Sequence, residues 1–187
     1  MGAWVFDLDG TLTVPQHDFA GLKRQLGLDP ALDVLAGIAA RPAAERDALH
    51  ARVAAWEREH VADARPADGA VALVERLAAA GEPLGVLTRN TRASALHTLE
   101  TIGLAGFFDG EDVVGRGCAA AKPAPDGLIL LLDRWGVPAS EATMVGDWIH
   151  DLEAGRAAGT RTIWVDHAGD GRFSGSADRT VRSLREV

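Results

Sequence analysis

The chain changes hydrophobic texture twice along its length. "AWVF", residues 3–6, is a short unbroken apolar run that stops at Asp7 and predicts a buried strand. From residue 15 to residue 65 the apolar positions recur at helical spacing. Phe19, Leu22 and Leu26 share one face, then Leu32, Leu35, Ile38 and Ala39, then Leu49, Val53, Trp56 and His60. This stretch predicts three helices with no strand between them. Beyond Pro66 strand and helix alternate. "GAVALVERLAAAGE" predicts a helix closed by Gly81, and "PLGVLT" a strand ending at Thr88. "TRASALHTLETIGL" turns Leu96, Leu99 and Ile102 inward, and "DGLILLLDRWG" does the same with Leu128, Leu131, Leu132 and Trp135. "ATMVGD" and "TRTIWVD" predict two more strands, with the helix "DLEAGRAAG" between them and the surface loop "HAGDGRFSGSAD" after them. Repeated strand–helix units imply an α/β protein with a parallel sheet covered on both faces. Residues 1–14 and 66–187 therefore form one core, and residues 15–65 a helical unit inserted after the first strand.

Composition narrows the function. With 187 residues, 47% of them hydrophobic, the chain can bury one sizeable core and a small appendage. A net charge of −8 argues against nucleic acid as a partner, but not against a small anion at a local site. Cys118 is the single cysteine, so neither an internal disulfide nor a cysteine zinc site is expected. The chain opens without a charged-then-apolar leader, and no apolar run nears the roughly 18 residues of a membrane span. A cytoplasmic protein without a membrane partner is expected, and a monomer, since no broad apolar face is left unassigned. Lysine is rare beside 17 arginines, which makes Lys23 and Lys122 conspicuous.

Candidate chemistry lies where the predicted strands stop. Asp7 and Asp9 follow the first strand, Thr88 ends the second, and Asp147 follows "ATMV". Open α/β sheets bind ligands outside the carboxyl ends of their strands. Residues two apart leave a strand on the same side, so Asp7 and Asp9 can address one ligand. Two adjacent carboxylates are tolerable when a hard dication offsets them. Mg²⁺ fits, taking one or two carboxylates plus substrate phosphate. Asp147 is a natural further ligand, and Asp151 is placed to brace the metal's waters. The Thr88 hydroxyl, nearby backbone N–H groups and the Lys122 ammonium can hold a phosphoryl group. Each feature alone has an ordinary reading: a D-x-D turn, a helix N-cap at Asp151, a surface lysine. Their order, each at a strand end or loop, is what points to phosphoryl chemistry.

"DLDGTLT", "LTRN", "AKPAP" and "GDWIHD" resemble the four motifs of the haloacid dehalogenase-like hydrolase superfamily, in order. The helices between the first two motifs look like the cap of its phosphoglycolate-phosphatase-like members. The resemblance implies a Rossmann-like parallel-sheet core with a small helical cap. It also implies a Mg²⁺-dependent phosphatase acting on a small phosphorylated metabolite, phosphoglycolate- or sugar-phosphate-like. Asp7 would be the nucleophile that forms an aspartyl-phosphate, and Asp9 the acid and base, its main-chain carbonyl also binding the metal. Thr88 and Lys122 would hold the phosphoryl group, and the neighbouring Arg89 and Asn90 are further substrate-binding candidates. Asp147 would bind the metal directly and Asp151 would stand behind it. Asp9 favours phosphate esters, because the true dehalogenases lack an aspartate there.

Several positions depart from the family pattern. The insertion is short, Trp148 stands where a small hydroxyl residue is usual, and Arg89 follows the motif threonine. Arg89 reads either as a clamp for an anionic leaving group or as a surface arginine, and Trp148 as an entrance residue or as packing beneath the cap. Lys23 is the one cap candidate for a Schiff base and reads more simply as part of a solvated helix face. His17, His50 and His60 read as helix positions rather than a metal site. Two other functions use the same residues: a phosphosugar mutase of the β-phosphoglucomutase kind, and a non-catalytic regulatory protein on the same scaffold.

Overall fold

The computed structural model describes residues 2–187. Its centre is a six-stranded parallel sheet: β1 (Ala3–Phe6), β2 (Leu84–Thr91), β3 (Val113–Arg116), β4 (Ala142–Gly146), β5 (Arg161–Val165) and β6 (Arg179–Val181), in spatial order β3-β2-β1-β4-β5-β6. β1 lies in the middle, with Val5 opposite Gly85 on one side and Met144 on the other. The strand order reverses beside β1, which makes its carboxyl end a switch point.

Both faces of the sheet are apolar, as the unbroken strand runs require. Phe6, Val86, Val113, Val145 and Ile163 pack with Leu73, Val74 and Leu77 of α4 (Ala70–Ala79) and Leu99 of α5 (Arg92–Thr101). On the opposite face, Val5, Leu87, Val114 and Met144 meet Leu128 and Leu131 of α6 (Asp126–Trp135) and Ala154 of α7 (Ile149–Ala158). Neighbouring residues of one strand thus feed different layers, following the two-residue period of the pleat.

Three helices lie between β1 and α4: α1 (Phe19–Leu26), α2 (Val34–Ala39) and α3 (Ala43–His60). They close around a small core of their own: Leu22, Leu26, Leu28, Ile38, Leu49 and Val53. Asp18 caps α1 by accepting the Gly21 N–H at 2.7 Å, and Asp33 caps α2 by accepting that of Ala36 at 3.0 Å. The two chain crossings into and out of this segment are paired, with Val14 N–H donating to Arg65 at 3.0 Å and Ala67 N–H to Leu12 at 2.9 Å.

Several expectations need correction. The sequence pattern predicts four strands, and β3 and β6 are additional. "VVGR" is too short and too close to glycine to read as a strand, and "RTV" is an edge strand with two exposed positions. Phe19 is 45% exposed rather than part of a buried stripe. Ala39 is exposed and Leu32 precedes α2, so the second predicted stripe is only partly a helix face. No helix among the described residues is long and apolar enough to cross a membrane.

Candidate active site

Asp7 continues β1 by one residue, its N–H donating to Val145 at 2.9 Å, and is thereby fixed at the carboxyl edge of the sheet. Lys122, on the loop before α6, reaches the same point and is 3% exposed. Its Nζ donates to Asp7 Oδ1 at 2.5 Å and lies 2.6 Å from Asp151 Oδ1. Carboxylate oxygens of Asp7, Asp147 and Asp151 come within 4.8 Å of one another. The backbone makes this crowding possible. Asp147 lies so tightly against Gly10, where φ is +86°, that no side chain fits there. Gly146 gives way to Asp151 in the same manner.

One ammonium among these carboxylates leaves negative charge uncompensated. Burial pushes the Asp7 carboxyl up to about 7, with Lys122 opposing and Asp151 and Asp9 adding to the shift. Asp147 is pushed up to about 8, by burial first and then by Asp7 and Asp151. For Lys122 burial acts to lower the pKa, but Asp151 and Asp7 outweigh it and hold the ammonium charged.

The donor set fits a hard dication. Every candidate donor is a carboxylate oxygen, and neither oxygen of Asp147 takes a hydrogen bond among the described residues. Asp151 is committed elsewhere: one oxygen faces Lys122 and the other accepts the Trp148 N–H at 3.0 Å. Asp7 and Asp147 are therefore the side chains with a carboxylate oxygen free for such an ion, and Asp151 is held beside them. The Asp9 carboxylate is not part of this cluster.

Asp9 is held by two neighbours. Asn90 Nδ2 donates to its Oδ2 at 2.6 Å, and His17 Nε2 lies 2.9 Å from its Oδ1. Asn90, expected to face substrate, thus orients Asp9. His17, read as an ordinary position of the helical segment, comes from the chain entering that segment and packs its ring against Trp56 at 5.1 Å and His60 at 5.7 Å. No spacing in the sequence links residue 17 to residue 9 in this way. Thr88 is buried at the end of the apolar part of β2, and its Oγ1 accepts the Asn90 N–H at 3.1 Å.

Asp7, Asp9, Thr88, Arg89, Asn90, Lys122, Asp147 and Asp151 all line one cleft of about 780 Å³ between the sheet edge and α1–α3. Arg89 neither clamps free space nor lies on the open surface; its guanidinium pairs with Asp33 across the cleft. A second pair carries no sequence signal: Arg116 at the end of β3 donates to Glu57 of α3 at 2.6 Å, and both are largely buried. Trp148 is 45% exposed in the cleft and packs edge-on against Phe173 at 5.4 Å, so it is an entrance residue braced by the C-terminal loop. Lys23 Nζ donates to the carbonyls of Pro30 and Leu32, at 2.6 and 3.0 Å, bracing the loop before α2.

The family profile described as haloacid dehalogenase-like hydrolase matches residues 29–165. A phosphoglycolate phosphatase of Rhodospirillum rubrum is 36% identical over 193 residues, covering 88% of this chain and 79% of that one. An uncharacterized hydrolase of Saccharomyces cerevisiae is 29% identical over 192 residues, covering 99% and 88%. A solved hydrolase structure from Pseudomonas syringae superposes with a TM-score of 0.81 at 21% identity, covering 96% of this chain and 92% of its own, a likeness of fold.

Proposed function

The chain belongs to the haloacid dehalogenase-like hydrolases, in their phosphoglycolate-phosphatase-like branch, and on that premise we propose that it hydrolyses a small phosphate monoester through an aspartyl-phosphate on Asp7. The observation that carries the reading is the Lys122 ammonium between Asp7 and Asp151, 2.5 and 2.6 Å away, in the cleft that also receives Asp9, Thr88 and Asp147. Residues 15–65 act as a cap over the core of residues 1–14 and 66–187.

Lys122 donates to Asp7 Oδ1 and orients the carboxylate that attacks phosphorus. Lys122 fixes the carboxylate and offsets charge on the transferring group, while the Thr88 hydroxyl contacts its equatorial oxygens. Asp9 gives its proton to the departing alkoxide, then takes one from the water that cleaves the aspartyl-phosphate. His17 and Asn90 hold the Asp9 carboxylate in place for both transfers. Asp7, Asp147 and the Asp9 main-chain carbonyl would hold Mg²⁺, which would supply positive charge for phosphoryl transfer beyond that of Lys122.

Phosphate release from a panel of monoesters tests this, with Mg²⁺ and with chelator, on wild type and Asp7→Asn. Release that needs the metal and is lost in Asp7→Asn is the expected result. Release unaffected by Asp7→Asn overturns the nucleophile assignment. Turnover that appears only with a phosphosugar activator moves the protein to the mutase reading.

A further inference from the structure

The far half of the cleft carries two arginines, Arg89 and Arg116, and either alone would clamp a carboxylate or phosphate on the leaving group. Both are already matched. Asp33 meets Arg89, lies 3.8 Å from His150 Nε2, and is anchored by capping α2. Glu57 is 5% exposed, and both its oxygens are engaged, one by Arg116 Nη1 at 2.6 Å and the other by the Thr91 N–H at 3.1 Å. Lys23, the remaining cation of this lining, is turned onto the carbonyls of Pro30 and Leu32. His150 is half-buried, and burial and the neighbouring Arg89 lower its pKa, so it adds little charge.

We infer that this half of the cleft selects a neutral, polyhydroxylated leaving group, a sugar or polyol, over one that bears a carboxylate, and that the pairs Arg89–Asp33 and Arg116–Glu57 set this choice. The inference rests on the phosphatase reading of the same site. A carboxylate entering here must displace an anchored acid or lie beside it in a partly dry cleft, and either costs free energy. A hydroxyl adds no charge and both donates and accepts. The remaining wall is apolar: Phe19, Leu32, Val34, Leu35 and Trp148, suited to the C–H faces of a ring. At about 780 Å³ the cleft also has room for far more than a two-carbon acid, since sites of about 300–1,000 Å³ enclose drug-sized ligands.

The test compares glucitol 6-phosphate and glucose 6-phosphate with 2-phosphoglycolate, as kcat/KM on wild type with Mg²⁺ and as Kd on Asp7→Asn. The Kd arm reads selectivity without turnover, so a failure of the phosphatase reading is seen separately from a failure of this one. Wild type is expected to favour the polyol and sugar esters by about tenfold or more in both arms. Asp33→Asn, which frees Arg89 at a site 32% exposed, is expected to raise phosphoglycolate relative to glucitol 6-phosphate by about tenfold. Glu57→Gln is expected to act in the same direction. Equal or better use of phosphoglycolate by wild type overturns the inference, and so does a ratio that Asp33→Asn leaves unmoved.

Discussion

The two halves of the cleft are charged on opposite plans. At the sheet edge Asp7, Asp147 and Asp151 crowd together with Lys122 as their one ammonium, and the carboxyls of Asp7 and Asp147 are pushed up to about 7 and about 8. Under α1–α3, each arginine faces its own carboxylate. In the proposed function the first half takes a cation and a phosphate. The second pairs each arginine with an acid, turns Lys23 onto backbone carbonyls, and offers apolar surface beside them. Under that proposed function, chemistry belongs to the strand ends, and discrimination to contacts that span core and helical segment.

The largest effect expected of a single change lies in the first half. Asp7→Asn should lower kcat by about 10⁴-fold or more, as loss of a covalent nucleophile does, read as phosphate release under saturating ester. Asp9→Asn should lower kcat by about 10²–10⁴-fold, the usual worth of positioned acid–base catalysis. That loss should shrink for esters with good leaving groups, which need no proton. Equal loss across leaving groups would remove Asp9 from the acid role.

The same contrast explains what was legible in the sequence. Asp7, Thr88 and Asp147 stand where apolar runs stop, and strand periodicity places such residues together without any knowledge of long-range contacts. The fold class followed from the same runs. β3 and β6 escaped because four and three residues carry too little pattern. Asp33 and Glu57 escaped for a different reason. Their partners lie 56 and 59 positions away, and a charge on an amphipathic helix reads as solvated until the facing surface is known. Spacing puts Phe19 on one face with Leu22 and Leu26, yet the periodicity of one helix cannot say whether its stripe faces protein or a cleft.

In the second half, Glu57→Gln should cost stability. Removing one partner of a buried pair leaves the other charge unmatched, at roughly 3–5 kcal/mol, read by denaturant midpoint at constant m. A change below about 1 kcal/mol would place the pair among exposed bridges.

The pH response should differ between metal-free and metal-bound protein. Asp7 and Asp147 titrate near 7 and 8 when folded, against about 3.9 unfolded. The folded state therefore binds more protons than the unfolded state across that interval. With both pKa values raised, stability present at low pH is lost as pH climbs from about 4 to about 8. In chelator, the melting temperature should fall between pH 5.5 and 8.5, at about 2–4 °C per kcal/mol lost. Mg²⁺ should reverse most of that fall, and its affinity should rise over the same interval as those protons leave. A melting temperature that climbs with pH in chelator would contradict the charge imbalance.

Smallest is Trp148→Ala. It removes packing on Phe173 at 5.4 Å and Arg172 at 5.2 Å, worth about 0.5–1.5 kcal/mol for an aromatic pair. KM should rise by less than about tenfold with kcat little changed, because the ring borders the leaving group and not the phosphorus.

The most direct measurement is to find the phosphoryl group on the enzyme. Wild type turning over p-nitrophenyl phosphate with Mg²⁺ is quenched in acid, digested and mapped by mass spectrometry. The account predicts one acid-stable, hydroxylamine-labile phosphoryl group on the peptide holding Asp7, absent from Asp7→Asn and from samples in chelator. Phosphate carried on a different residue, or turnover that persists in Asp7→Asn, would contradict it.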